Sequence, residues 1–313
     1  MATKRLTTKE YFDIIDSNEY VFEAENIFCK YIPKTLYKFY PVLSDTQEQQ
    51  RRFDQLKKEQ IWLSRKNNLN DPFEFEHCIL NSASLDAQNY YKGKTQELEI
   101  FCLTEYPLNK LMWAHYATAY KGFCVEFSVF SSGNIFPVIY DSKLPDLSVY
   151  YQRFFENRET LSQHYSSFNN DELSKDILRL HYPLVSKDLC WSYEKEFRII
   201  SSSPLDEKDG HLYHTKDFGL SISKIIIGAK CTREVVCELK KIVNAINQSR
   251  FNRQKNYILQ SGNCPVHDEK SIERLARALW KRAPLWDAEV SITKIDWNDK
   301  LELVERELRE GDF

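Results

Sequence analysis

Hydrophobic and polar positions along the chain switch repeatedly between a period of two and a period of three to four. Alternating, β-branched or aromatic runs predict strands at Leu36–Tyr40, which stops before Pro41, and at Gln60–Ser64, Glu99–Thr104, Gly122–Phe127 and Pro137–Tyr140. Further strands are predicted at Ser223–Ile227, closed by Gly228, and at Tyr257–Gln260. Helical spacing begins at Thr7, with Glu10 three residues on in the arrangement of a capping box, and runs with interruptions to about Lys30. It returns over Asp45–Lys58, and over Leu108–Ala117 with Asn109 as cap. After Thr232 as cap, Val235, Val236, Leu239, Ile242, Val243 and Ile246 recur on one helical face. A long helical region is predicted from about Leu147 to Leu189, broken near Asn169-Asn170-Asp171 and at Pro183. Two last helices are predicted at Glu269–Lys281 and Lys300–Glu310. Phe73 to Tyr91 carries no single period.

This order predicts an α+β fold with a central, mostly antiparallel sheet. The predicted organisation is an N-terminal helical region at 1–33, a core domain at 34–262 with a helical insertion at about 147–189, and a C-terminal helical extension at 263–313. The strand, helix and strand of 223–260 form a crossover unit whose two strands are expected to run parallel.

A run of alternating residues around position 195 adds chemistry. Read as a strand, Trp191, Tyr193, Lys195, Phe197 and Ile199 share one face, and Ser192, Glu194, Glu196, Arg198 and Ile200 the other. The second row sets two carboxylates beside a guanidinium, with neighbours roughly 6–7 Å apart. It is either a solvated outer face or the floor of a cleft. Two other segments offer side chains to a ligand. Met112-Trp113-Ala114-His115-Tyr116 either fills the core or walls a pocket where Trp113 or Tyr116 stacks on a flat ring. In Asn70-Asp71-Pro72-Phe73-Glu74, Pro72 keeps Asp71 extended, and the loop is either a plain Asn/Asp turn or a cleft rim carrying Asp71 or Glu74.

Composition narrows the classes. In 313 residues, 42% are hydrophobic, which suffices for a large core, and the net charge of −3 supplies no basic excess for nucleic acid. With 8 glycines and no G-x-G-x-x-G or Walker pattern, a glycine-rich phosphate loop is not expected. None of the eight cysteines forms C-x-x-C, and His211 and His214 stand without a Cys–His cluster, so neither a disulfide framework nor zinc is expected. The polar N-terminus and the lack of a long apolar run predict a cytoplasmic protein without a membrane span.

Several motifs recur in order: Leu36-Tyr37-Lys38-Phe39, Ile61-Trp62-Leu63-Ser64, Asn70-Asp71-Pro72-Phe73-Glu74, Phe101-Cys102-Leu103-Thr104, Met112–Tyr116, Lys121–Phe127 and Tyr193–Arg198. Over roughly residues 34 to 260 this set resembles a widespread bacterial family of unknown function. More distantly, the chain is similar to ADP-ribosyltransferase-like domains, which present a polar residue on a first strand, Ser or Thr on a second and Glu on a later one. That resemblance implies Lys38, Ser64 and Glu194 or Glu196 in those places, although Lys38 stands where His or Arg is usual and the middle motif is not evident.

The resemblance implies an NAD-consuming enzyme acting as an intracellular toxin or antiviral defence effector. NAD would be a substrate, with no tightly bound cofactor and no metal. The site it implies has Glu194 and Glu196 as catalytic carboxylates, and Lys38, Ser64, Asn70, Asp71, Trp113, His115, Tyr116 and Arg198 around the ligand, with Lys38 or Arg198 pairing with pyrophosphate. A carboxylate there would stabilise the oxocarbenium-like sugar formed when the nicotinamide–ribose bond breaks. Two other readings remain open. One is a metal-dependent nuclease or hydrolase using Asp71, Glu74, Glu194 and Glu196. The other is a non-catalytic sensor or adaptor that binds a nucleotide or protein, with the helical ends suited to a protein partner or homo-oligomer.

Overall fold

The computed structural model describes residues 4–163, 172–203, 209–260, 269–280 and 287–312. In chain order its elements begin with α1 (Thr8–Ser17), α2 (Val21–Cys29), β1 (Thr35–Tyr40), α3 (Thr46–Lys57), β2 (Gln60–Arg65), α4 (Leu85–Gln96) and β3 (Leu98–Thr104). The middle of the chain gives α5 (Lys110–Tyr116), β4 (Phe123–Val129), β5 (Ile135–Pro137), β6 (Ile139–Tyr140), α6 (Ser148–Gln163), α7 (Glu172–Leu180) and β7 (Ser186–Lys187). Then follow β8 (Glu196–Ser202), β9 (Gly210–His214), β10 (Leu220–Ile227), α8 (Arg233–Gln260), α9 (Glu269–Trp280), β11 (Ser291–Trp297) and β12 (Leu303–Glu307). The fold is mixed α/β with a large, mostly antiparallel sheet, the class expected from the pattern. The expected break at Asn169-Asn170-Asp171, residues 263–268 of the expected C-terminal extension, Lys281 and Cys264 lie outside the described residues.

Two compact units share the chain, and they are not sequential segments. Unit 1 comprises 1–33, 62–102 and 132–212; unit 2 comprises 34–61, 103–131 and 213–313.

Unit 1 packs α1, α2, α4, α6 and α7 around one core that includes Tyr11, Ile15, Phe28, Phe75, Ile100, Tyr151, Leu178 and Tyr182. Helix α1 starts where the capping box predicts: Thr7 Oγ1 accepts from the Glu10 N–H, and the Thr7 N–H donates to Glu10 Oε2. The Thr7→Ala variant is expected to lose about 1 kcal/mol of stability, read from the urea midpoint. Tyr11, one turn into the helix, stacks on Phe28 at 5.0 Å between ring centres. The strand ladders within the unit include β5 antiparallel to β8, and β6 parallel to β7 with Tyr140 opposite Lys187.

Unit 2 is built on β1, β4, β10, β11 and β12. Strand β4 lies antiparallel between β1 and β10, β10 is parallel to β11, and β11 is antiparallel to β12. Val236, Leu239, Ile242 and Ile246 of α8 are buried, as their spacing predicts. The buried Arg250 guanidinium pairs with Glu59 and donates to Ser221 Oγ.

Three elements correct the sequence reading. Tyr257–Gln260 is not a strand but the end of α8: Ile258 sits seven residues after Phe251, two helical turns on, and packs with it and with Ala276. The parallel partner of β10 is therefore β11, reached through α8 and α9. Lys300–Glu310 is not a helix, because Leu303–Glu307 pairs with β11, where Lys224 meets Glu305 at 2.8 Å and Arg306 meets Asp296 at 2.9 Å. Cross-strand ion pairs there override the helix propensity of a Glu-rich run. Finally, 191–200 is not one strand. Leu189–Glu194 is a short 3-10 helix, Lys195 takes the left-handed conformation (φ 49°, ψ 46°), and only then does β8 begin.

Candidate functional site

The break before β8 builds the most unusual feature of unit 1. Asp188 caps the 3-10 turn by accepting from the Cys190 N–H at 2.8 Å. The turn ends on Glu194. The left-handed Lys195 then reverses the chain so that Glu194 and Glu196 both reach one ammonium, that of Lys187 on β7. Its Nζ lies 2.8 Å from Glu194 Oε2, 3.6 Å from Glu196 Oε2 and 3.8 Å from Glu74 Oε2. A non-glycine residue in this conformation costs about 1–2 kcal/mol.

Glu74 arrives from the Asn70–Glu74 loop. Asp71 folds the loop by accepting from the Phe73 N–H at 3.0 Å, and its carbonyl accepts from the Glu74 N–H at 3.2 Å. Phe75 follows with φ 66° and plunges into the core, which turns Glu74 inward. Arg198 closes the cluster. Its Nε and Nη2 grip Glu196 as a fork at 2.9 and 3.1 Å, Nη1 donates to the Leu184 carbonyl, and Nη2 touches Glu74 Oε1 at 2.5 Å. All five side chains are buried, none more than 6% exposed, so the charged row is not a solvated face.

Three carboxylates against two cations leave one negative charge in surplus when all are ionised. The surplus falls on Glu74. Burial pushes its carboxyl above the usual range, Glu196 adds to the rise, and Arg198 and Lys187 oppose it. Burial works against ionised Glu196 as well, but Arg198 and Lys187 outweigh it and hold that carboxyl down to about 2. Two carboxyls of the same chemical type are thus driven apart, the pattern that separates proton-transfer roles.

Beside the cluster opens a cleft of about 560 Å³, within the size range of small-molecule sites. Asp71, Glu74 and Phe73 line one side, His77 and Ser142 another, and Ser186, Lys187, Asp188, Cys190 and Trp191 the rest. Trp191 is half-buried and its ring lies 4.6 Å from the Lys187 ammonium. Burial lowers the His77 imidazole below its ordinary value, so it is neutral at pH 7. The hydrogen bond to Asp188 raises the Cys190 thiol, which makes it a poor nucleophile.

The expected site residues divide. Asp71 and Glu74 line the cleft, as the rim reading of their loop requires. Glu194 and Glu196 join the cluster, but neither lines the cleft. Arg198 does not pair with pyrophosphate: it is fully buried and its donors face Glu196, Glu74 and Leu184. Ser64 and Asn70 belong to unit 1 outside the cluster, Ser64 opposite Ile100 on β3 and Asn70 exposed. Lys38, Trp113, His115 and Tyr116 belong to unit 2. Trp113 offers no ring face to a ligand. It is fully buried, edge-on to Phe39, with its indole N–H donated to the Pro107 carbonyl. His115 is exposed and Tyr116 half-buried.

Lys187, His77, Ser186 and Asp188 escaped the sequence reading, because the first and the last two fell inside a stretch read as helix. One signal was legible there: Ser186-Lys187-Asp188 follows Pro183, and an Asp before Leu-Cys-Trp is a helix cap.

Fold and site together define a mixed α/β protein with a buried acid–base cluster beside an open cleft. Residues 112–199 match the family model described as "Protein of unknown function (DUF2971)", a stretch that holds the motifs Met112–Tyr116, Lys121–Phe127 and Tyr193–Arg198. The matched stretch holds Lys187, Glu194, Glu196 and Arg198, while Glu74 precedes it. No curated protein and no solved structure matches the chain. Among the described residues no helix is long and apolar enough to cross a membrane, and no group of three or more His, Cys, Asp or Glu is arranged to hold a metal ion.

Proposed function

We propose that the cleft of unit 1 is an active site that cleaves the N-glycosidic bond of a nucleotide substrate, with NAD as the first candidate. The observation that carries this reading is the pairing of Glu74, raised and facing the cleft, with Glu196, held ionised behind it. As the C1′–N bond breaks, the leaving ring takes the bonding electrons and becomes neutral, and positive charge passes to the ribose. The surplus negative charge of the cluster stabilises that charge. A water or acceptor hydroxyl then attacks C1′ and gives its proton to Glu74, whose raised pKa makes it a stronger base than an ordinary carboxylate.

Metal-assisted hydrolysis is less well supported. The Lys187 ammonium already stands among Glu74, Glu194 and Glu196, where a divalent cation would have to sit. An NAD-consuming enzyme of this kind would serve a bacterial cell as a toxin or defence effector.

The test is release of nicotinamide, or transfer of labelled ADP-ribose, from NAD. Glu74→Gln is expected to lower kcat at least ~100-fold with little change in KM. Full activity in that variant would refute the assignment, as would a wild-type protein that neither turns over nor binds NAD.

A further inference from the structure

The cleft reads charge. Among the described residues that line it, four are acidic, namely Asp71, Glu74, Glu76 and Asp188, and beside the neutral His77 the basic one is Lys187. The Lys187 ammonium is already committed to three glutamates and to the ring of Trp191. It therefore has little left to offer a phosphate. Asp188 is exposed, and the bond from Cys190 holds its carboxyl below the usual range, so it stays charged. The wall adds one polar atom. Ser186 is 1% exposed with its hydroxyl engaged by that of Tyr182, while His77 Nε2, on the same wall, makes no hydrogen bond within the protein. A buried polar atom of this kind is ordinarily satisfied, which leaves His77 Nε2 as the wall atom able to bond a ligand. Phe73, 72% exposed, and Trp191 add aromatic surface, and Trp191 already faces one cation.

From this we infer that the cleft selects a flat ring carrying a positive charge, held by Asp71 and Asp188 and covered by Trp191 and Phe73, with a polar substituent bonded to His77. The inference rests on the cleft being the working site. It adds that the cationic pyridinium end of a substrate enters, while anionic phosphates lie outside the acidic lining.

Two probes of nearly the same shape separate charge from fit: 1-methylnicotinamide, a cation, and nicotinamide, which is neutral. Binding of each to the full chain is measured by calorimetry and by quenching of tryptophan fluorescence, with ADP-ribose as the anionic control. The cation is expected to bind about tenfold more tightly than the neutral ring, consistent with one additional charge contact. Asp188→Asn, which keeps the cap, and Asp71→Asn, which keeps the loop turn, are each expected to remove most of that preference. Neutral and cationic rings binding equally, neither binding, or ADP-ribose binding the wild-type chain more tightly than the cation would each overturn the inference. Cation binding that depends on Asp188 supports it even if no ligand is turned over. Turnover that depends on Glu74 but ignores the ring's charge overturns it while leaving catalysis standing.

Discussion

Replacing Arg198 by methionine is expected to cost about 3–5 kcal/mol of stability. The guanidinium is fully buried and neutralises Glu196 through two aligned bonds while touching Glu74. Without it, three carboxylates face the single ammonium of Lys187. The cost comes mainly from the charges left behind, since a buried pair replaced as a whole by apolar groups is often neutral in energy. The double variant Arg198→Met with Glu196→Met is therefore expected to recover much of the loss. Urea unfolding of the two single variants and the double variant measures this coupling. A single variant within 1 kcal/mol of wild type, or a double variant as unstable as the sum of the singles, would show that the cluster is not energetically joined.

The second large effect is a dependence on acid. Glu196 titrates near 4.5 in the unfolded chain and near 2 in the folded one, so the folded state binds fewer protons between those values. Its contribution is fully present above about pH 4.5 and disappears as pH falls through about 2, an interval worth on the order of 3 kcal/mol. Glu74 has the opposite sign. Its carboxyl is raised, so the folded state holds the proton longer and stability falls as pH rises from about 4.5. The stability gap between wild type and Glu196→Gln should therefore close steadily from pH 5 to pH 2. Glu74→Gln should instead flatten the decline on the neutral side. Equilibrium unfolding at intervals of half a pH unit reads both; a Glu196→Gln gap that stays constant across the acid range would remove the assignment.

What the sequence made legible follows from how local each signal is. The capping box at Thr7, the Asn109 cap and the helical face of Val236, Leu239, Ile242 and Ile246 all rest on contacts within a few residues, and all are present. The errors came where distant partners decide. Leu303–Glu307 is a strand because β11 and Lys224 are there to meet it. Tyr257–Gln260 is helical because Ala276 of α9 receives Ile258. The charged segment was recognised for its residues and misread in its shape. Alternation placed Glu194 and Glu196 on one strand face, whereas a left-handed residue between them turns both toward Lys187. No period in the sequence announces a single residue with positive φ, and Lys187 itself is an ordinary lysine until the carboxylates converge on it.

The interleaving of the two units bears on how the polypeptide matures during translation. The chain passes between them after residues 33, 61, 102, 131 and 212, so no single cut yields both as continuous pieces. Every residue of unit 1 has left the ribosome once position 212 has emerged, whereas the sheet of unit 2 still awaits β11 and β12. The acidic cleft can thus assemble while the sheet of unit 2, in which β1 and β4 already have each other to pair with, is completed only by the strands made last.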